Sequence, residues 1–72
     1  MKNISINRVE IGQKIRKVRE AKGLTQEQLA KKSGFRTGTL SDWERGGVDQ
    51  RVEGLAALAI ALGVTVAELM QE

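Results

Sequence analysis

Glycines at four points divide this chain into short stretches with helical spacing. They are Gly23, Gly34, Gly46–Gly47 and Gly63. Within the stretches, apolar residues recur three and four positions apart, which is the repeat of one face of an α-helix. No stretch alternates for long enough to form a strand, and the sequence contains no proline. We therefore expect an all-α protein, a compact domain of five helices.

Hydrogen-bonding side chains mark where two of these helices begin. Thr25 is followed three residues later by Gln28, and Thr65 by Glu68. In such a capping box the hydroxyl accepts from the third amide and the longer side chain reaches back. With the glycines as helix ends, the predicted helices cover about 9–22, 25–33, 37–45, 52–62 and a short segment after Thr65.

The predicted core is centred on the fourth helix, which is nearly apolar. Trp43 shares a helix face with Leu40, so we expect it in the core rather than as a platform for stacking bases. Phe35 stands in the turn before the third helix, where it can fill the angle between two helices. The predicted stripe of the fourth helix comprises Val52, Leu55, Leu58, Ala59 and Leu62.

Composition argues against several classes of protein. The chain has no cysteine and no histidine, so disulfides, thiolate metal sites and the commonest general base are missing. We expect no catalytic residues, no metal and no cofactor. The longest apolar run, Leu55–Leu62, is eight residues and too short to cross a bilayer. Residues 1–10 do not resemble a signal peptide, and the expected location is the cytoplasm, without membrane contact.

Positive charge is concentrated in the first part of the chain. Residues 1–45 contain eleven Lys/Arg and five Asp/Glu, whereas residues 46–72 contain one arginine and four acidic residues. A basic face on a small domain is typical of proteins that bind nucleic acid. An ordinary solvated helix surface would give a similar pattern.

The second and third predicted helices have the form of a helix-turn-helix, at about 25–45. Both are short, and a tight turn that contains Gly34 joins them. In this motif the second helix enters the major groove of DNA and its N-terminal residues reach the bases. We therefore predict a recognition helix at about 37–45.

Four segments together resemble one family, the Cro/phage-repressor-type helix-turn-helix regulators (XRE family). The resemblance covers about residues 11–70, and it suggests an N-terminal arm at 1–8 followed by a helix-turn-helix DNA-binding domain at 9–72. The segments are Gly12-Gln13-Lys14-Ile15-Arg16, GLTQEQLAKKSGF, TLSDWERG and LAALAIALGVTVAEL.

The resemblance implies three sets of functional residues. Gln26 could instead be only a member of its capping box, and Arg19 and Glu44 could be separate surface charges. The implied base contacts are Thr37, Gly38, Ser41 and Asp42. The implied phosphate contacts are Gln26, Arg36, Arg45 and Gly46, and the implied structural ion pair joins Arg19 and Glu44.

Some residues depart from the family pattern. Arg36 stands where a capping serine or threonine is usual, and Gly38 in a helix costs about 1 kcal/mol relative to alanine. Asp42 is acidic where DNA is negative, so it accepts from a cytosine amino group or repels incorrect sites. Asp49-Gln50-Arg51 replaces the usual Asn-Pro-Ser, which makes the start of the fourth helix uncertain.

The leading hypothesis is a sequence-specific regulator, with repression as its expected action. Its partners would be double-stranded DNA with a near-palindromic operator and a second copy of the chain in a homodimer. Residues 64–72 offer a dimer surface, or they complete the core. The alternative is a protein-interaction module of the same fold, such as an antitoxin or accessory factor. A protein partner or a larger parent chain fits either hypothesis.

Overall fold

The computed structural model describes residues 7–71. Within this range the chain forms five α-helices and no strand. The predicted all-α, five-helix fold is confirmed for these residues. The helices are α1 (Arg8–Ala21), α2 (Gln26–Ser33), α3 (Thr37–Arg45), α4 (Val52–Leu62) and α5 (Val66–Leu69).

Local hydrogen bonds explain where most of these helices begin and end. Both predicted capping boxes form, at the starts of α2 and α5. A third box starts α1, where Asn7 Oδ1 accepts from the Glu10 amide at 2.8 Å. The helix thus begins inside the segment that the sequence suggested as an arm, and residues 1–6 of that arm lie outside the described range. Gly34 and Gly46 end α2 and α3 in the left-handed conformation, which a side chain would strain.

The core lies between α4, which packs on α1, α2 and α5, and α3, which packs mainly on α1 and α2. Trp43 is only 7% exposed, as expected of a core residue, and the edge of Phe35 meets its ring at 4.9 Å between centroids. The other buried apolar residues come from all five helices of the described range: Ile11, Ile15, Leu29, Ala30, Leu40, Leu55, Leu58, Ala59, Leu62 and Leu69.

The predicted core stripe of α4 is wrong at one residue. Val52 is 68% exposed, although Leu55, three residues later, is buried. Val52 is the first residue of α4, and its side chain is left in solvent at that end of the helix. The spacing was correct, but spacing alone does not show how far along a helix its neighbours reach.

The C-terminal segment mainly completes the core. Leu69 is fully buried, and Val64 and Val66 pack against the core cluster. Hydrogen bonds from the backbone and hydroxyl of Thr65 hold the pKa of the exposed Glu68 carboxyl below its ordinary value. Of the two uses that the sequence left open for this segment, core completion accounts for these buried side chains.

The described residues contain neither a membrane-crossing helix nor a metal-binding cluster. No helix within 7–71 is both long and apolar enough to span a bilayer. In the same range, no three acidic residues are grouped so that they could hold a metal ion.

Candidate nucleic-acid interface

The turn between α2 and α3 sets the angle of the helix pair. It consists of residues 34–36, and the Phe35 amide donates to the Ala30 carbonyl at 2.9 Å. Phe35 then packs edge-on against Trp43, behind the second helix of the pair. The turn is therefore anchored at its central residue, Phe35, by both a backbone hydrogen bond and an aromatic contact.

The two faces of α3 differ in exposure. Its inner face holds Leu40, Trp43 and Glu44, all buried. Thr37, Gly38 and Thr39 are exposed in its first turn, while Ser41 and Asp42 are half-buried one turn later. The four predicted base contacts (Thr37, Gly38, Ser41 and Asp42) thus lie in the first half and middle of one helix, at or near its surface.

Gly38 occupies an open position in the first turn of α3. A Cβ atom built on it would meet nothing within 4 Å. Glycine in a helix costs stability relative to alanine, and packing within the described residues gives no reason for it here. The absence of a side chain leaves the backbone of α3 accessible from outside.

A buried ion pair ties α3 to α1 and α2. Arg19 of α1 donates from Nε to Glu44 Oε2 at 2.7 Å and from Nη2 to Oε1 at 3.1 Å. Gln26, the first residue of α2, donates to the same Oε1 at 3.0 Å. The remaining Arg19 nitrogen, Nη1, donates to the Leu24 carbonyl. The structure therefore brings Arg19 and Glu44 together, and it adds Gln26 to the pair.

The second half of α3 carries a surface cluster of three polar side chains. The guanidinium of Arg45 bonds to Ser41 Oγ at 2.7 Å and forms an ion pair with Asp42. Two predicted base contacts and one predicted phosphate contact are thus linked to one another. All three side chains are at least partly exposed.

The four predicted phosphate contacts differ in how much hydrogen-bonding capacity is free. The Gly46 amide donates to the Trp43 carbonyl at 3.1 Å, which ends α3. Gln26 has one amide hydrogen left after its bond to Glu44. Arg36 is exposed at the N-cap of α3, and its side chain makes no capping bond. Arg36 is therefore the most available of the four, as Arg45 bonds within its own helix.

Three further contacts between α1 and α3 were not predicted from the sequence. A Cβ atom on Gly12 would come within 2.5 Å of the Trp43 carbonyl oxygen, so the two helices touch through their backbones. Gly46 lies similarly close to Val9. Gln50, in the loop before α4, donates to carbonyl groups of both helices. For Gly12, a glycine inside a predicted helix was the only available signal, and it gives no partner.

Comparison with known proteins decides the family. Residues 15–69 match the helix-turn-helix model HTH_3. The chain belongs to this helix-turn-helix family of DNA-binding transcriptional regulators. The predicted family resemblance is confirmed.

Two relatives in sequence are named as regulators. An uncharacterized HTH-type transcriptional regulator of Sinorhizobium fredii is 43% identical over 60 residues, which cover 83% of this chain and 78% of that protein. The immunity repressor protein of Bacillus phage phi105 is 37% identical over 62 residues, or 86% of this chain. The matched residues span only 43% of the phage protein.

Solved structures of regulators share the fold closely. The restriction-modification controller protein C.AhdI of Aeromonas hydrophila is 39% identical, with a TM-score of 0.83 over 85% of this chain and 92% of that one. The biofilm regulator SinR, solved in complex with DNA, is 32% identical with a TM-score of 0.80, over 85% and 98% of the two chains. SinR has also been solved with the protein SinI, and the match with this chain covers 61% of the chain in that structure.

Proposed function

We propose that this DNA-binding regulator is a sequence-specific repressor that places α3 in the major groove of its operator. The observation that most supports this function is the exposed first turn of α3. The second half of α3 is anchored in the protein by the buried Trp43 and Glu44, while Thr37 and Gly38 in its first turn are exposed. A rigid helix with an open first turn suits direct readout of base edges.

The base contacts proposed for this function are Thr37, Gly38, Ser41 and Asp42. Thr37 offers a hydroxyl and a methyl group, the latter suited to a thymine methyl. Gly38 would let a sugar or base edge approach the helix backbone. Asp42, with its charge partly balanced by Arg45, would accept from a cytosine amino group.

Phosphate contacts would fix the register of α3 on the duplex. Arg36 is the strongest of the proposed set, because its guanidinium stands exposed beside the first turn of α3. Gln26, at the positive end of the α2 dipole, supplies one remaining amide hydrogen. Gly46 and Arg45 complete the proposed set. The excess of basic residues within 1–45 supports binding to a polyanion.

A homodimer is part of the proposal. Two-fold symmetry would put two copies of α3 in successive major grooves about 34 Å apart on a near-palindromic site. Ile60 of α4 is 81% exposed, more than any other large apolar residue in the described range. We propose this part of α4 as the contact between copies, with Ile60 at its centre. The proposed location of the protein is the cytoplasm.

Selection from a random pool of duplex DNA tests the function directly. A sequence-specific repressor should enrich one motif with two related half-sites, and the enriched duplex should withstand excess random DNA in a gel-shift assay. The affinity should fall steeply with salt, because bound phosphates release counterions. If random DNA competes as well as the enriched duplex, the proposal is wrong.

The second candidate is a protein-interaction module of the same fold. Its support is the structure of the related SinR with SinI, together with the exposed Ile60. This candidate predicts no enriched motif in the selection. The same experiment therefore separates the two functions.

A further inference from the structure

The side-chain amide of Gln50 links two helices from the loop that precedes α4. Its Nε2 donates to the Arg8 carbonyl at 2.8 Å and to the Trp43 carbonyl at 2.7 Å. Arg8 is the first residue of α1, and Trp43 lies in the last turn of α3. One amide group therefore connects the start of α1 to the end of α3.

Filling empty hydrogen-bonding groups does not explain this residue. The Trp43 carbonyl already accepts from the Gly46 amide at 3.1 Å. Meanwhile Gln50 Oε1 is buried and has no partner among the described residues, which carries a free-energy cost. What the amide group supplies is a connection between two helices.

The connection lies at a joint where small changes matter. Gly12 and Gly46 hold the backbones of α1 and α3 in contact, and the Arg19–Glu44 pair fastens α3 one residue beyond Trp43. All these attachments lie in the second half of α3, whereas its first turn is exposed and has no side-chain cap.

The length of α3 amplifies any tilt at this joint. Nine residues of α-helix span roughly 13 Å. A tilt of about 5° at the attached end would move the first turn by about 1 Å, since displacement scales with the length of the lever. An error of that size is enough to misalign a recognition contact.

We propose that Gln50 is a positioning residue for DNA recognition. It sets the angle of α3 against α1, and thereby the alignment of Thr37 and Gly38 with the bases, without touching DNA. This inference rests on the proposed base-reading function of α3. It assigns Gln50 a role in sequence preference rather than in overall affinity.

The test compares Gln50→Met and Gln50→Glu with the wild type. Methionine keeps a similar length without a hydrogen-bond donor, and glutamate keeps the shape while facing both carbonyls with oxygen. Dissociation constants are measured at one salt concentration for a duplex enriched by selection and for a scrambled duplex. The ratio is the dissociation constant for the scrambled duplex divided by that for the enriched duplex. It should fall about tenfold, which is the effect of one misaligned base contact. Binding to the scrambled duplex should change by less than about twofold, because phosphate contacts dominate it.

A matched control separates positioning from stability. Thr65→Ala removes the cap of α5, which is not part of the α1–α3 joint. It should lower the midpoint of thermal unfolding and leave the ratio unchanged when binding is measured on folded protein. A purely structural role for Gln50 predicts this same behaviour for the Gln50 variants.

Each outcome is decisive. A wild-type ratio in whichever of Gln50→Met and Gln50→Glu folds overturns the positioning role. Failure of the wild type to enrich any motif overturns the base-reading function, and with it the role of Gln50. Enrichment by the wild type with a lowered ratio in Gln50→Met, but not in Thr65→Ala, supports both.

Discussion

Gly54 of α4 lies against the Trp43 indole of α3, so closely that a Cβ atom would come within 2.8 Å of Trp43 Cζ2. Trp43 is almost fully buried and is also in contact with the Phe35 ring. Gly54 thus provides the space that seats the large side chain on the inner face of α3. The central core helix and the proposed recognition helix meet at this contact.

Gly54→Ala should destabilise the protein, although alanine is the better helix former. The added methyl group has no room beside the buried ring, and overpacking of a core costs about 1–3 kcal/mol. Chemical denaturation measures the change in the free energy of unfolding. An unchanged or higher value would mean that Trp43 moves aside without cost.

Gly38→Ala should have the opposite effect on stability and should weaken DNA binding. The position is open, so the gain in helix propensity is about 0.5–1 kcal/mol. If DNA approaches the helix backbone here, the methyl group lowers affinity for the enriched duplex. Denaturation and gel-shift titration of the same sample test both parts. A more stable variant with unchanged affinity would show that DNA does not approach Gly38.

Arg19→Met should cost about 3–5 kcal/mol of unfolding free energy, because it leaves the Glu44 carboxylate buried without its cation. The side chains of Arg19 and Glu44 are only 10% and 3% exposed. Arg16→Met in the exposed pair with Glu20 is the matched control and should cost less than about 1 kcal/mol. Similar costs for both variants would contradict the structural importance of the buried pair.

Arg36→Ala and Thr37→Ala should affect DNA binding in different ways. Loss of Arg36 would remove a proposed phosphate contact, so binding should weaken on all sequences alike and the salt slope should decrease by about one. Loss of Thr37 should change the preference at one base position. Binding to duplexes with every single-base change, measured at several salt concentrations, tests both predictions. Equal losses on every duplex from both variants would show that the recognition helix is misplaced.

Ile60→Asp should dissociate the proposed homodimer, raising its dissociation constant by about tenfold or more, since a carboxylate at the centre of an apolar contact must be desolvated. Sedimentation equilibrium measures the constant. Val52→Asp makes the same change at an exposed position on the first residue of α4 and should leave the dimer intact. A dimer unaffected by Ile60→Asp would exclude this part of α4 from the interface.

The sequence predicted those parts of the fold that depend on local interactions. The boxes at Thr25 and Thr65 were predictable because each hydrogen bond spans three residues. The box at Asn7 obeys the same rule, but it was overlooked inside a segment assigned to an arm. Val52 was misplaced because its burial depends on where neighbouring helices end.

The parts that escaped prediction depend on distant residues. Gln50 and Arg8 are 42 positions apart, and no local pattern relates them. Glycine inside a helix lowers the stability of the helix. The reason for Gly12 and Gly54 is visible only when the helices packed against them are known. The proximity of Arg19 and Glu44 followed only from family resemblance, and their spacing of 25 residues carries no signal of its own.

The division of α3 into a buried face and an open first turn separates the capacity to fold from the choice of target. Leu40, Trp43 and Glu44 anchor the backbone, while residues 37–39 contribute little to the core. Substitutions in this exposed first turn should therefore leave the packing of the interior intact. If α3 reads the bases as proposed, such a domain could acquire a different operator while it keeps the same fold.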